Sequence, residues 1–375
     1  MWKSSSRLTL AESRAGETVN WLDGGSRPRP DAPDPTRAPA SPVGSLGRVT
    51  FPQRRLRRLR RTEALRRMVR ETRLHPDDLV APLFVREDAD EPQPIGSLPG
   101  QSQHSRASLR SHVAELKALG IPAVILFGIP ATKDAEGSEA WNPDGVVQRA
   151  LRDLRDDHGD ELVLIADLCV DEYTDHGHCG VLDRRGQPDN DATLERYERI
   201  AVAQATAGAD IVAPSGMMDG QVFAIREALD ESGFDTTAIL AYAAKYATSL
   251  YGPFRDAVDV TIVGGGDRKG YQQDVANSRE AMEEIREDLA EGADMVMVKP
   301  AMPYLDVIAR ARAELDVPIA AYHVSGEYAM VHAAAERGWL DLEAVAHEHV
   351  LAIRRAGADI VLTYFAELLA RLLQE

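Results

Sequence analysis

Gly208-Ala209-Asp210-Ile211-Val212, Gly292-Ala293-Asp294-Met295-Val296 and Gly357-Ala358-Asp359-Ile360-Val361 are copies of one pattern, and Gly120-Ile121-Pro122-Ala123-Val124 is a looser copy. A glycine has no Cβ to clash in the left-handed region, so it can close a helix there. The apolar, β-branched run that follows it reads as a buried strand. The pattern is therefore a helix end joined to a strand, and its recurrence predicts a chain in which the two alternate.

Working outward, strands are predicted at Leu79–Val85, Ala123–Gly128, Leu162–Leu168, Asp210–Ala213, Ala238–Ala243, Met295–Val298, Ile319–Tyr322 and Ile360–Thr363, with amphipathic segments between them. Strands alternating with helices imply parallel βαβ units. Nearly continuous apolar strands imply burial on both faces. Eight such units predict a closed (β/α)8 TIM barrel over residues 78–375, with an open doubly wound sheet as the competing arrangement.

Two segments precede it. Residues 1–48 are rich in Ser, Pro, Arg and Gly, and a run such as Arg27-Pro28-Arg29-Pro30 cannot build a core, so a disordered extension is predicted. Residues 49–77 hold the arginine-rich stretch Arg54 to Arg73, either an arm that docks on acidic partner subunits or a solvated lead-in. The chain is 44% hydrophobic with a net charge of −17, which argues against a general nucleic-acid binder. No apolar run is long enough to span a membrane, and Ser4 to Arg14 is too polar for a secretory signal. Two cysteines are too few for a disulfide scaffold, which points to a reducing, cytoplasmic setting.

In such a barrel the chemistry belongs at the C-terminal ends of the strands. The polar residues there are Asp167, Ser215, Lys245, Lys299, Tyr322 to Ser325, and Tyr364. Lys299 closes the apolar run Met295-Val296-Met297-Val298, and Lys245 closes Ile239 to Ala244. Burying an ammonium is costly, so desolvation favours the neutral amine that attacks carbonyls. Two lysines on adjacent strands share one cavity, and repulsion between them acts in the same direction. Alone, each lysine would read as a snorkelling surface residue.

The segment between those two strands contains Tyr251-Gly252-Pro253-Phe254-Arg255-Asp256 and Gly264-Gly265-Gly266-Asp267-Arg268-Lys269-Gly270-Tyr271-Gln272. Its glycines suggest a mobile loop, and Arg255, Arg268 and Gln272 suit a carboxylate. The rival phosphate loop lacks the Gly-Lys-Ser/Thr ending. Both cysteines lie in Cys169-x-Asp171-x7-Cys179, a set that can bind Zn²⁺ through three ligands, or else hold two buried thiols.

At this point the sequence resembles the porphobilinogen synthase (5-aminolevulinate dehydratase) family over roughly residues 50–375. The matching stretches are Ala213-Pro214-Ser215-Gly216-Met217-Met218-Asp219-Gly220, Lys245 through Asp256, Met297-Val298-Lys299-Pro300 and Tyr322-His323-Val324-Ser325-Gly326-Glu327. The resemblance implies a (β/α)8 barrel with an N-terminal arm, usually a homo-octamer. It implies a hydro-lyase that joins two 5-aminolevulinate molecules into porphobilinogen with loss of two waters, in tetrapyrrole (haem) biosynthesis. It further implies Schiff-base roles for Lys299 and Lys245. Arg255, Arg268 and Gln272 would grip the carboxylate of the second substrate, and Ser325 and Tyr364 that of the first. Asp167 and Ser215 would lie near the substrate amine, with Tyr251, Phe254 and Tyr322 around the pocket. Glu284 falls where some members hold an allosteric Mg²⁺, or else is an exposed helix charge.

The departure is at Asp171, because zinc members carry three cysteines and others carry aspartates. An oxygen ligand should weaken Zn²⁺ relative to three thiolates; zinc nevertheless remains the expected metal, the alternative being that Mg²⁺ alone matters. A class I aldolase needs only one lysine, and an inert metal-binding barrel would need neither.

Overall fold

The structure, a computed structural model, describes residues 51–263 and 266–374. The extension predicted over residues 1–48 lies outside the described residues, as do Gly264 and Gly265. The chain forms two compact units divided between Val69 and Arg70. In the first, Thr62 Oγ1 accepts from the Leu65 N–H at 3.3 Å and caps the short helix Glu63–Met68. Its apolar residues Phe51, Leu56, Leu59 and Met68 are exposed.

The second unit is the barrel. Its strands are β1 (Leu79–Arg86), β2 (Gln93–Pro94), β3 (Ser102–His104), β4 (Ala123–Ile129), β5 (Val163–Leu168), β6 (Ile211–Pro214), β7 (Ala238–Lys245), β8 (Met295–Lys299), β9 (Ile319–His323) and β10 (Ile360–Thr363). The ring runs β1-β4-β5-β6-β7-β8-β9-β10 in parallel, and β10 closes it on β1 through Leu79↔Val361 and Val80↔Leu362. Every strand predicted from the sequence is one of these eight. The hairpin β2–β3 beside β1 is an addition that sequence reading missed, because strands of two or three residues carry no periodicity. Among the described residues no helix is long and apolar enough to cross a membrane.

The recurring Gly-Ala-Asp pattern has a physical explanation. Gly208, Gly292 and Gly357 take φ values of 102°, 110° and 124°, where a side chain is strained. A Cβ on Gly357 would also lie 2.5 Å from Arg312 Cβ. Each aspartate then ties down the foot of the preceding strand. Asp210 accepts from the Leu164 N–H at 2.7 Å, Asp294 from Ile239 at 2.8 Å and Asp359 from Ile319 at 2.9 Å. The repeat is thus a strand-pairing device at the end of the barrel opposite the chemistry.

One irregularity sets the site. Between β7 and β8 the register runs Leu240↔Met295 and Ala241↔Val296, then shifts to Ala244↔Val298 and Lys245↔Lys299. Three steps along β7 therefore match two along β8, as at a β-bulge. Without that extra residue Ala244 would oppose Lys299. With it, the two lysines become direct cross-strand neighbours.

Candidate active site

Lys245 and Lys299 are each 5% exposed at the C-terminal mouth of the barrel. Lys299 Nζ lies within a ring of aromatics, 4.4 Å from the Tyr322 centroid, 4.8 Å from Tyr242, 5.2 Å from Phe254 and 5.4 Å from Tyr251. Burial, reinforced by the charge of Lys245, brings the Lys299 amine down from 10.5 to about 7. A large share of Lys299 is therefore the neutral nucleophile near neutral pH. Lys245 Nζ donates to the Ser215 carbonyl at 2.5 Å and lies 5.6 Å from the same Tyr242 ring. Ser215 Oγ in turn donates to Asp167 Oδ2 at 3.0 Å, and burial raises the Asp167 carboxyl to about 6.

Lys245, Lys299, Asp167, Ser215, Tyr251, Phe254, Arg255 and Arg268 all line one chamber of about 20 Å³, roughly the room one water occupies. Substrates can enter only if part of this wall moves, and Phe254, Arg255 and Arg268 come from the segment between β7 and β8. Tyr322 reaches the chamber through Lys299, and its hydroxyl is 3.1 Å from that of Tyr364. Ser325 Oγ accepts from the Phe254 N–H at 3.0 Å. Gln272 is buried but faces a larger neighbouring cavity of about 1000 Å³. Sequence reasoning missed Phe127 and Glu172, which also line the chamber, and Tyr242 between the two lysines. Phe127 near the end of β4 could have been found by the strand-end rule. Glu172 carries no signal beyond its place in the cysteine loop.

The cysteine loop folds as its spacing suggests. Cys169, Asp171 and Cys179 are buried, and their ligand atoms all lie within 4.8 Å of one another. Two sulfurs and a carboxylate oxygen at that separation fit a metal such as Zn²⁺ with a fourth position left for another ligand. Burial would raise the Asp171 carboxyl, but the Arg268 guanidinium and the Lys245 charge outweigh it and hold it ionised. Arg268, expected as a substrate grip, lines the chamber and also reaches this loop. It pairs with Asp171 Oδ2 at 2.8 Å and donates to the Gly177 carbonyl at 2.8 Å. Tyr197 secures the loop from below, donating to the Cys179 carbonyl at 2.5 Å. That ring fits only because position 216 lacks a side chain, since a Cβ there would lie 1.6 Å from the Tyr197 hydroxyl.

Glu284 is half-buried on the helix Arg279–Ala290 and lines the larger cavity with Glu280 and Asp219. Burial and its acidic neighbours, Asp219 first among them, raise its carboxyl above the ordinary range.

A parallel barrel with two cross-strand lysines in a buried chamber defines an enzyme fitted for carbonyl chemistry. Residues 53–372 match the delta-aminolevulinic acid dehydratase family. The chain is 56% identical over 327 residues to the delta-aminolevulinic acid dehydratase of Streptomyces coelicolor, covering 87% of this chain and 98% of that protein. It is 56% identical over 319 residues to that of Mycobacterium tuberculosis, covering 84% and 96%. The crystal structure of the Toxoplasma gondii delta-aminolevulinic acid dehydratase (porphobilinogen synthase), in complex with the reaction product porphobilinogen, superposes with a TM-score of 0.83. That match has 47% identity and covers 85% of this chain and 91% of the other. The chain belongs to the delta-aminolevulinic acid dehydratase family.

Proposed function

We propose that this chain joins two molecules of 5-aminolevulinate into porphobilinogen, releasing two waters, through imines on Lys299 and Lys245. The observation that carries the mechanism is the registered pair of buried lysines in one chamber, with the Lys299 amine brought down to about 7. Each neutral amine attacks the ketone of one substrate and releases a water. The iminium then acts as an electron sink, so that a neighbouring carbon loses its proton and bonds to the other imine carbon. A carbon–nitrogen bond closes the ring, and the lysines leave as free amines.

Lys299 would hold the substrate that becomes the propionate side, with Ser325 and Tyr364 at its carboxylate. Lys245 would hold the second, with Arg255, Arg268 and Gln272 at its carboxylate. Asp167 and Ser215 would face the amine, and Tyr251, Phe254 and Tyr322 exclude water. Holding both carboxylates turns a bimolecular encounter into a positioned one. Cys169, Asp171 and Cys179 would hold zinc, which when bound supplies Lewis acidity to the second substrate. Glu284 would contribute to an allosteric Mg²⁺ site. A homo-octamer, a cytoplasmic setting, and the division into extension (1–48), arm (49–77) and barrel (78–375) complete the reading.

Borohydride reduction in the presence of 5-aminolevulinate tests it. Substrate mass should appear at Lys299 and Lys245, and Lys299→Ala should abolish turnover. Normal turnover in that variant would refute the covalent role. Activity after chelation, then with Zn²⁺ or Mg²⁺ restored separately, tests the metals. Rescue by zinc alone supports the cysteine loop, and full activity without metal retires it.

A further inference from the structure

The chamber wall is assembled from separate loops, and a buried carboxylate outside it ties them together. Glu327 lies in the helix Ser325–Glu336 and is 1% exposed. Its Oε2 accepts from the Val324 N–H at 2.5 Å, the contact expected of a helix-capping glutamate. Its Oε1 accepts from the Met302 N–H at 2.7 Å, in the turn that leaves β8 three residues after Lys299. A simple helix cap has no need of that second bond.

The bonds continue around a closed circuit. Ser325, next to Val324, donates from its hydroxyl to the Leu250 carbonyl at 3.4 Å and accepts from the Phe254 N–H at 3.0 Å. Gly326 lets the same segment approach closely, since a Cβ there would lie 2.5 Å from the Leu250 carbonyl oxygen. Tyr251 then returns to the Lys299 carbonyl at 3.3 Å. Lys299, Met302, Glu327, Ser325, Leu250 and Tyr251 therefore form one loop of contacts that runs through the backbone of the reacting lysine.

We propose that Glu327 is a positioning residue for the condensation: its carboxylate locks the turn after Lys299 to the turn before Ser325, and so keeps the aromatic wall closed over the Lys299 amine. This rests on the Schiff-base reading of Lys299. Burial, against the pull of its backbone donors, raises the Glu327 carboxyl to about 7. The two N–H groups go to different oxygens of Glu327, and a carboxylate suits this because both of its oxygens are acceptors. Glutamine offers one acceptor oxygen and turns an amide donor on the other N–H, which loosens one of the two turns.

The test uses Glu327→Gln, with Glu327→Asp as a second variant should the first fail to fold. The probe is 4-oxopentanoate, which has the ketone and carboxylate of 5-aminolevulinate but no amine and so cannot be turned over. The pH midpoint of its borohydride trapping at Lys299 is read by peptide mass, beside kcat and KM for 5-aminolevulinate. Water reaching the amine should move the midpoint upward by about one pH unit, a tenfold change in proton affinity. Misplacement of Lys299 and Ser325 should lower kcat/KM by about 10- to 100-fold. Variants that only melt earlier, with midpoint and kcat/KM unchanged, would reduce Glu327 to a helix cap and overturn the proposal. If the unaltered protein gave no adduct at Lys299, the covalent reading itself would fail, a result distinct from a failure of Glu327.

Discussion

Replacing Lys245 with methionine removes a charge beside Lys299 while keeping a side chain of similar length. Side chains in register on neighbouring parallel strands are about 5 Å apart. Two unit charges at that distance repel by about 0.8 kcal/mol in water and about 3.3 kcal/mol at an effective dielectric of 20. At roughly 1.36 kcal/mol per pH unit that spans about 0.6 to 2.4, and a rise of about 1 is a fair central value. The rest of the descent from 10.5 to about 7 belongs chiefly to burial, which the substitution leaves in place. The midpoint for the Lys299 amine should therefore move from about 7 to about 8. At pH 7 its neutral fraction falls from about one half to about one eleventh, so imine formation slows roughly five- to sixfold. Near pH 9.5 the two proteins should converge. The assay is the rate of borohydride-trapped 4-oxopentanoate at Lys299, followed by peptide mass between pH 5.5 and 9.5. A midpoint that stays put or falls would refute the claim that the paired lysine tunes the nucleophile.

Three further outcomes follow from the same geometry. Lys299→Met should abolish turnover yet raise stability by on the order of 2–4 kcal/mol, because the fold no longer buries an amine whose proton it disfavours. That gain should be complete below pH 7, where the unfolded chain keeps a proton the folded one holds weakly, and should vanish above 10.5; urea titrations across that range check it. Gly216→Ala drives a Cβ into the Tyr197 hydroxyl, so it should destabilise the barrel by about 2–4 kcal/mol and weaken zinc binding as Cys179 loses its support, measured by denaturation and chelator competition. Asp171→Cys should tighten zinc by replacing an oxygen with a thiolate, and unchanged affinity in the same competition would show that Asp171 is no ligand.

Much of this was legible in the linear chain. Strand positions follow from short β-branched runs, and their parallel arrangement from the alternation with helices. The strand-end rule then picks out Lys245, Lys299, Asp167 and Ser215 before any contact is known. The Cys-x-Asp-x7-Cys spacing is short enough that one loop brings its donors together, as it does. Each of these is a local property, carried by neighbours in the chain.

What depended on tertiary structure is register and partnership between distant segments. The bulge in β7 decides that Lys245 rather than Ala244 stands beside Lys299, and nothing in the pattern of alanines announces it. Arg268 could have served substrate alone, but packing sets it against Asp171, 97 positions away in the chain. Tyr242 and Glu327 looked like ordinary members of a strand and a helix. They acquire a role only because folding places one between the lysines and the other between two turns. Periodicity reports which face a residue occupies, whereas the identity of the group across a buried chamber is settled only when the barrel closes.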